Sequence, residues 1–547
     1  MYTARVSQTD PHAFASLRAV LRDARYANTD LYLHVEPGRY AEPYALEITS
    51  RVMIVPVEGP GTVEISVAAA DSVFVVKGDR GALELYGIHV RGRADMPDSP
   101  TVLAEQGTRF KAVDSVFTSG TEVEVNGDGT EVVNCRFDGC DLYWKRGTGG
   151  FVRDAVFRGA GLTFWRAVNP TVSSVRFSDY DQGSLTIADS SVMVTDCVMS
   201  SFGKAKGGSL IVKDGSDARF NNLSITGSPD YSVLAVGEGT RVAFNGFSLT
   251  AWTNEKSGIA IGLGAEVSFA ASRIDAVGAA STAVTVSEGG TVTVEDLVVE
   301  NTGAQAFFVK ESRLSGRGLV CRRLGSYAIA ALRSRIELAD VEFTARLPGA
   351  ENDASGFYLS DSRLDADGVR ASELTGTVIL TSDDSQATLT SVSAERVWKP
   401  VMALGISTVR VHGARVTESG AAAFSTNDRG SLTVVDALVS GTGDTAVWSR
   451  GGSLNLTSVT VSGTAGAGAA VEEGAELTLE DTVVRDGHGV GVSVRGAKSQ
   501  VKLLRSRITG NALAGVQAHS DAVVEMRDVV LRDNGGGDWV YLAEGAE

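Results

Sequence analysis

Apolar and polar residues alternate along most of this chain in short runs, and the runs come in matched sets. Leu432 and Val434 lead to Asp436, then Ala437 and Val439, then Gly441. The same order returns as Leu454, Leu456, Ser458, Val459, Val461, Gly463, and again as Leu477, Leu479, Asp481, Val484, Gly487. A third apolar run follows each Gly turn, as in Val447-Trp448 or Val492-Ser493-Val494. Alternation with period 2 predicts strands with one face in and one face out. Strands this short and regular do not suit a sandwich, and helical solenoids need a 3.6 period that is absent. Twenty-odd residues with three strands make one turn of a parallel β-helix.

Two ladders set the register. Phe117, Phe137, Phe157 and Phe177 stand 20 residues apart. Three residues before the first three lie Asp114, Asn134 and Asp154, and the polar slot recurs at Asp196, Asn222, Asp296, Asp340, Asp436, Asp481 and Asp528. The Phe ladder reads as stacked core. The polar slot reads as a corner whose short side chain bonds backbone N–H groups two residues on. Ser174, Gly246, Ser391, Gly413 and Ser458 interrupt it, which argues against a column of metal-binding or catalytic carboxylates. At roughly 4.8 Å per layer, the repeat predicts a rod on the order of 90 Å.

The start differs. Thr9-Asp10-Pro11 offers a helix cap, and Phe14, Leu17, Val20, Leu21 and Ala24 share one face of a helix running to about Tyr26. Residues 1–30 are therefore expected to form a cap over the first coil, with residues 31–547 as the β-helix. Val35-x-Pro37-Gly38-x-Tyr40 and Gly59-Pro60-Gly61-Thr62-Val63-Glu64-Ile65, behind a helix and a strand, resemble the opening of right-handed parallel β-helix proteins of the pectin-lyase-like superfamily. The resemblance implies an all-β, right-handed parallel β-helix solenoid of about 20 or more coils with a short N-terminal capping helix. Across some 60 N-terminal residues the chain is also similar to actinobacterial β-helix proteins, some of which continue into an AAA-type ATPase. The superfamily includes lyases, hydrolases, epimerases, phage spikes and inert scaffolds, so the resemblance leaves function open.

Charge narrows the partners. With 67 acidic and 50 basic side chains the net charge is −17. No basic stripe is present to neutralise phosphates, so neither nucleic acid nor an anionic membrane surface is expected as a partner. The N-terminus lacks a signal-peptide core and no run of 18 apolar residues exists. A cytoplasmic location is the expectation. Cys135, Cys140, Cys197 and Cys321 are too scattered for a disulfide framework; Cys197 reads as a buried packing thiol.

Sugar-active β-helices carry recognisable catalytic patterns, and this chain holds only fragments of them. Gly487-His488-Gly489 resembles the polygalacturonase triplet, but His488 lies 60 residues after Asp428 in Thr426-Asn427-Asp428, and the intervening paired Asp is missing. Arg507-Ile508-Thr509 does not repair that spacing, and Gly487 to Gly489 reads as an ordinary turn. Asp383-Asp384 and Glu351-Asn352-Asp353 are the candidate calcium carboxylates of a pectate-lyase plan, without matching acids on neighbouring coils. The six His show no metal-ligand spacing, so no metal or cofactor is expected.

The ligand-binding candidates are aromatic. Trp144 and Trp165 lie 21 residues apart, followed by Lys145-Arg146 and Arg166. Facing outward they form a platform for a sugar ring or a partner side chain; facing inward they extend the core. The final residues, Trp539 to Glu547, stop in repeat register without a cap, which predicts a protein partner or a fused domain at that end. The leading expectation is a non-enzymatic scaffold or recognition rod, with a polysaccharide-active lyase or glycoside hydrolase as the alternative. Converging solvent-facing acids or arginines on adjacent coils would decide for the enzyme.

Overall fold

The computed structural model describes residues 1–542 except 70–71, 94, 96–98, 180–183, 202–207, 228–230, 252–257, 280–281, 348–351 and 520. The expectation drawn from the chain's last residues therefore falls largely outside the described residues. The chain is an all-β parallel β-solenoid of about 20 turns, divided into two compact units, Met1–Arg273 and Ile274–Glu547.

In the first unit each coil contributes three short strands that pair in parallel with those one coil away. Leu31–Val35, Arg51–Pro56, Ala82–Tyr86, Arg109–Val113 and Glu131–Val133 follow one another in the first column. Gly38–Glu42, Val63–Val67, Ile88–Arg91, Val116–Thr118 and Arg136–Asp138 form the second. Val102–Ala104, Glu122–Val125, Asp141–Trp144 and Leu162–Trp165 belong to the third. Buried and outward residues alternate along most strands, as the pleat dictates.

The Phe ladder is core. Phe117, Phe137, Phe157 and Phe177 are at most 1% exposed, and their rings stack at 4.9, 4.6 and 5.0 Å with interplanar angles of 13°, 5° and 16°. Each stacked pair adds about 0.5–1.5 kcal/mol beyond burial. A second ladder, Phe220, Phe244 and Phe269, stacks at 5.1 and 5.2 Å.

The polar slot has a different cause from the one its side chains suggest. Asp114, Asn134, Asp154, Ser174, Asp196 and Asn222 all adopt φ between 51° and 56°. The corner is a left-handed backbone residue, which Asp, Asn and Gly tolerate best; Gly246 and Gly413, with φ of 69° and 71°, fit the slot for the same reason. The side chains bond along the stack: Asn134 Nδ2 donates to Asp114 Oδ1 at 2.6 Å, and Asn222 Nδ2 to Asp196 Oδ1 at 2.9 Å.

The helix at the start is shorter than expected. It spans Leu17–Leu21, with Ser16 as N-cap accepting from Ala19 N, and Ala24–Tyr26 forms a separate 3-10 turn. The residues before it are strand: Tyr2–Val6 pairs with Leu31–Val35. Asp10 caps only a turn, accepting from His12 N at 2.9 Å. Leu17 N donates to Glu42 Oε1 at 2.9 Å, so a carboxylate only 2% exposed satisfies the helix start.

In the second unit the first two strands of many coils fuse through the corner, as in Gln386–Glu395, Thr408–Thr417, Ser431–Ser440 and Ser453–Ser462, and separate again at Glu476–Glu480 and Val483–Arg485. Ser391, Asp436 and Ser458 keep positive φ inside these strands. The interior carries hydroxyl pairs, Thr381 Oγ1 with Ser407 Oγ and Thr426 Oγ1 with Ser449 Oγ, both at 2.8 Å. All four cysteines are free and buried, Cys197 included.

Candidate functional site

On the first column of the first unit, outward residues of consecutive coils stand directly opposite one another. Met53 pairs with Glu84, Glu84 with Lys111, and Lys111 with Glu131; beside them Arg51 and Arg109 flank Ala82. With Tyr86 and Asp128 they line an open cleft of about 560 Å³, within the size range of ligand sites.

Its charges are largely fixed by partners. Arg51 Nε donates to Glu84 Oε1 at 2.6 Å, and the Tyr86 hydroxyl donates to Glu84 Oε2 at 3.1 Å. Lys111 Nζ sits 2.7 Å from Glu131 Oε2 and 6.0 Å from the Tyr86 ring centre. Partial burial, aided by the Glu84 charge, raises the Tyr86 phenol above its ordinary value. The hydrogen bond to Glu131 raises the Lys111 ammonium, and that to Glu84 raises the Arg51 guanidinium. Tyr86 is therefore a protonated donor at neutral pH. Arg109 is exposed and, among the described residues, carries no ion pair.

The two tryptophans separate. Trp144 is fully buried, 5.6 Å from the Phe164 ring, and its indole N–H has no hydrogen-bond partner among the described residues. A Cβ at Gly150, which has φ of 84°, would lie 2.7 Å from the Trp144 ring, so only glycine permits this seat. Trp165 is half-exposed, with the Arg166 and Arg146 guanidinium carbons 4.8 and 5.9 Å from its ring centre. Arg166 also pairs with Asp189 at 3.1 Å, and Lys145 with Glu124 at 3.3 Å. The platform thus consists of Trp165, Arg146 and Arg166, without Trp144.

The other candidates do not assemble. His488 is exposed in a turn whose backbone bonds Thr464. Thr426 points into the core, and Asp428 is a left-handed turn residue. Asp383 accepts from Ser360 Oγ at 2.7 Å, Asn352 and Asp353 are exposed, and Glu351 lies outside the described residues. Among the described residues, no group of three or more His, Cys, Asp or Glu is placed to hold a metal ion.

Residues 423–546 match the family described as right handed beta helix region. Solved structures with similar chains include tailspike protein 3 of bacteriophage CBA120, at 10% identity, 70% of this chain, 56% of that chain and a TM-score of 0.34. The mannuronan C-5 epimerase A-module of Azotobacter vinelandii aligns at 13% identity over 63% of this chain and 93% of its own, with a TM-score of 0.23. The α-1,3-glucanase catalytic unit of Streptomyces thermodiastaticus aligns at 14% identity over 70% and 61%, with a TM-score of 0.23. The chain thus spans little more than half the length of the tailspike. No curated protein matches the chain in sequence. At these values the likeness is one of fold.

The expectation of a non-enzymatic scaffold or recognition rod is corrected by these findings. The neighbours include an epimerase of mannuronan and a glucanase. On the cleft, Glu84, Glu131, Arg51, Arg109 and Lys111 share one face of consecutive coils. The chain is a right-handed parallel β-helix repeat protein.

Proposed function

We propose that this chain is a polysaccharide-active protein that takes a carboxylate-bearing glycan in the cleft around Tyr86. One observation carries the reading: the Tyr86 hydroxyl, kept protonated by partial burial and the Glu84 charge, shares the outer face with Arg109, which has no ion-pair partner among the described residues. Arg109 is free to pair with a sugar carboxylate in bidentate fashion. The alternating donors and acceptors around it suit hydroxyls, which both donate and accept. Four coils span about 14 Å, three steps of roughly 4.8 Å, enough for a few sugar rings.

Glu84 and Glu131 are each engaged by a cation, Arg51 and Lys111 respectively. Chain cleavage here would be elimination. Water takes the proton on the carbon beside the sugar carboxylate, and a C=C bond forms as the bond to the glycosidic oxygen breaks. Tyr86 gives that oxygen its proton and is reprotonated from solvent. Trp165, with Arg146 and Arg166 over its ring, is an accessory stacking position.

The test incubates the chain with a panel of uronate and neutral polysaccharides and separates the products by size. Cleavage of a uronate polymer is expected, with Tyr86→Phe slower by about 100-fold, the low end for loss of a general acid. Absence of both cleavage and retention of every uronate polymer contradicts the reading.

A further inference from the structure

Across the corner that follows Tyr86, a second constellation lies outside the cleft. Arg39, Glu64 and His89 stand opposite one another on three consecutive strands, and Arg91 stands opposite Thr118 on the next. His89 Nε2 is 2.8 Å from Thr118 Oγ1, and His89 Nδ1 is 3.4 Å from Glu64 Oε2. Arg39 and Arg91 each approach Glu64 at 3.9 Å. The Glu64 side chain is 18% exposed and that of His89 27%, well withdrawn for outward strand positions.

The order is hydroxyl, imidazole, carboxylate. With its proton on Nδ1, His89 directs an N–H toward Glu64 and leaves the Nε2 lone pair to accept the Thr118 hydroxyl proton. Burial lowers the imidazole below its ordinary value, outweighing the opposing effect of Glu64, and Arg91 and Arg39 add to the lowering. A neutral imidazole at neutral pH is the form a general base requires. On the far side of Thr118, Arg136 and Asp138 pair with each other at 2.5 Å.

We propose that Thr118, His89 and Glu64 form a site for acyl transfer that hydrolyses small carboxylic esters, with Arg91 facing the carbonyl oxygen. Thr118 Oγ attacks the carbonyl carbon as its proton passes to His89 Nε2. The C–O bond to the alcohol breaks, and the alcohol takes that proton, leaving an acyl ester on Thr118. Water then attacks this ester, giving one proton to His89, and the acid departs as Thr118 regains its proton. The sum is ester plus water to acid plus alcohol, with no change of oxidation state. Glu64 acts as a positioning residue.

The probe is p-nitrophenyl acetate with the full chain, followed by release of nitrophenol and by mass analysis of peptides quenched in acid. Expected are turnover above buffer, an acetyl group on the Thr118 peptide, and a rate that rises with pH through a midpoint below the ordinary histidine value. Thr118→Val and His89→Gln should each lose at least tenfold while melting like the parent, and Thr118→Ser should keep activity. Glu64→Gln should move the midpoint lower, since removing the carboxylate removes the group that favours imidazolium. No turnover above buffer overturns the proposal. So does a Thr118→Val rate equal to the parent's, which would mark His89 as a surface imidazole reacting on its own. Glycan binding at the cleft is measured separately, and neither outcome depends on the other.

Discussion

The Tyr86 hydroxyl donates to Glu84 Oε2 at 3.1 Å from two positions further along the same strand, so both side chains leave on the outward face. Period-2 alternation brings about this meeting. The adjoining coils supply Arg51 to fix the carboxylate and Lys111 to face the ring. A proton donor is thereby built from three coils whose inward residues do nothing but pack.

The Phe ladder should dominate local stability. Phe137 is stacked on both sides, by Phe117 and Phe157. Phe137→Ala is expected to cost about 3–5 kcal/mol, read as a lower urea midpoint for the cooperative unit that contains it. A loss below about 1 kcal/mol would mean that the coils repack freely.

The corner residues should behave as backbone and not as side chains. Asp154 sits at φ of 54°. Asp154→Ala is expected to destabilise by about 1 kcal/mol, because alanine keeps the Cβ but lacks the short polar group that lets Asp tolerate the left-handed region. Asp154→Gly, which removes the Cβ, should change stability by less than about 0.5 kcal/mol. Equal losses for both variants would restore the side-chain explanation.

Glu42 should make the fold sensitive to pH. Desolvation raises its carboxyl above the ordinary value, against the opposing hydrogen bonds from Leu17 and Arg18 N–H. The native state thus favours the protonated form. Its contribution is fully present below the unfolded-state value and is lost as pH rises through the raised folded-state value. Urea midpoints of the parent and of Glu42→Gln should diverge in favour of the variant as pH rises from acid to neutral. A constant difference across that range contradicts the assignment.

The thiols should be inert. Burial pushes Cys135 and Cys140 up to about 12 and Cys197 up to about 11. A thiol-specific disulfide reagent at neutral pH should find no reactive cysteine in the native chain and all four after denaturation. Rapid native labelling of any one would contradict its burial.

Much of the coil is legible in the sequence because inward residues repeat at the coil length, as the phenylalanines do. The corner slot was visible too, but its residue set, Asp, Asn, Ser and Gly, is that of a left-handed backbone, and the glycines were the sign. The tryptophans were also readable. The Phe spacing is 20 where Trp144 and Trp165 are 21 apart, and a one-residue slip moves a side chain to the other face. The cleft was hidden because its coils vary in length: Met53, Glu84, Lys111 and Glu131 are separated by 31, 27 and 20 residues. Arg39, Glu64 and His89, each 25 apart, kept a constant interval. Nothing in that interval said that the three side chains share the outer face.

The central claim, that the Tyr86 cleft takes an acidic glycan, is tested most directly by calorimetric titration of a uronate oligosaccharide into the parent chain and into an Arg109→Ala, Lys111→Ala double variant. Saturable binding to the parent is predicted, weaker by at least tenfold in the double variant at an unchanged melting temperature. Equal affinity for the two proteins, or no binding to the parent, would contradict it.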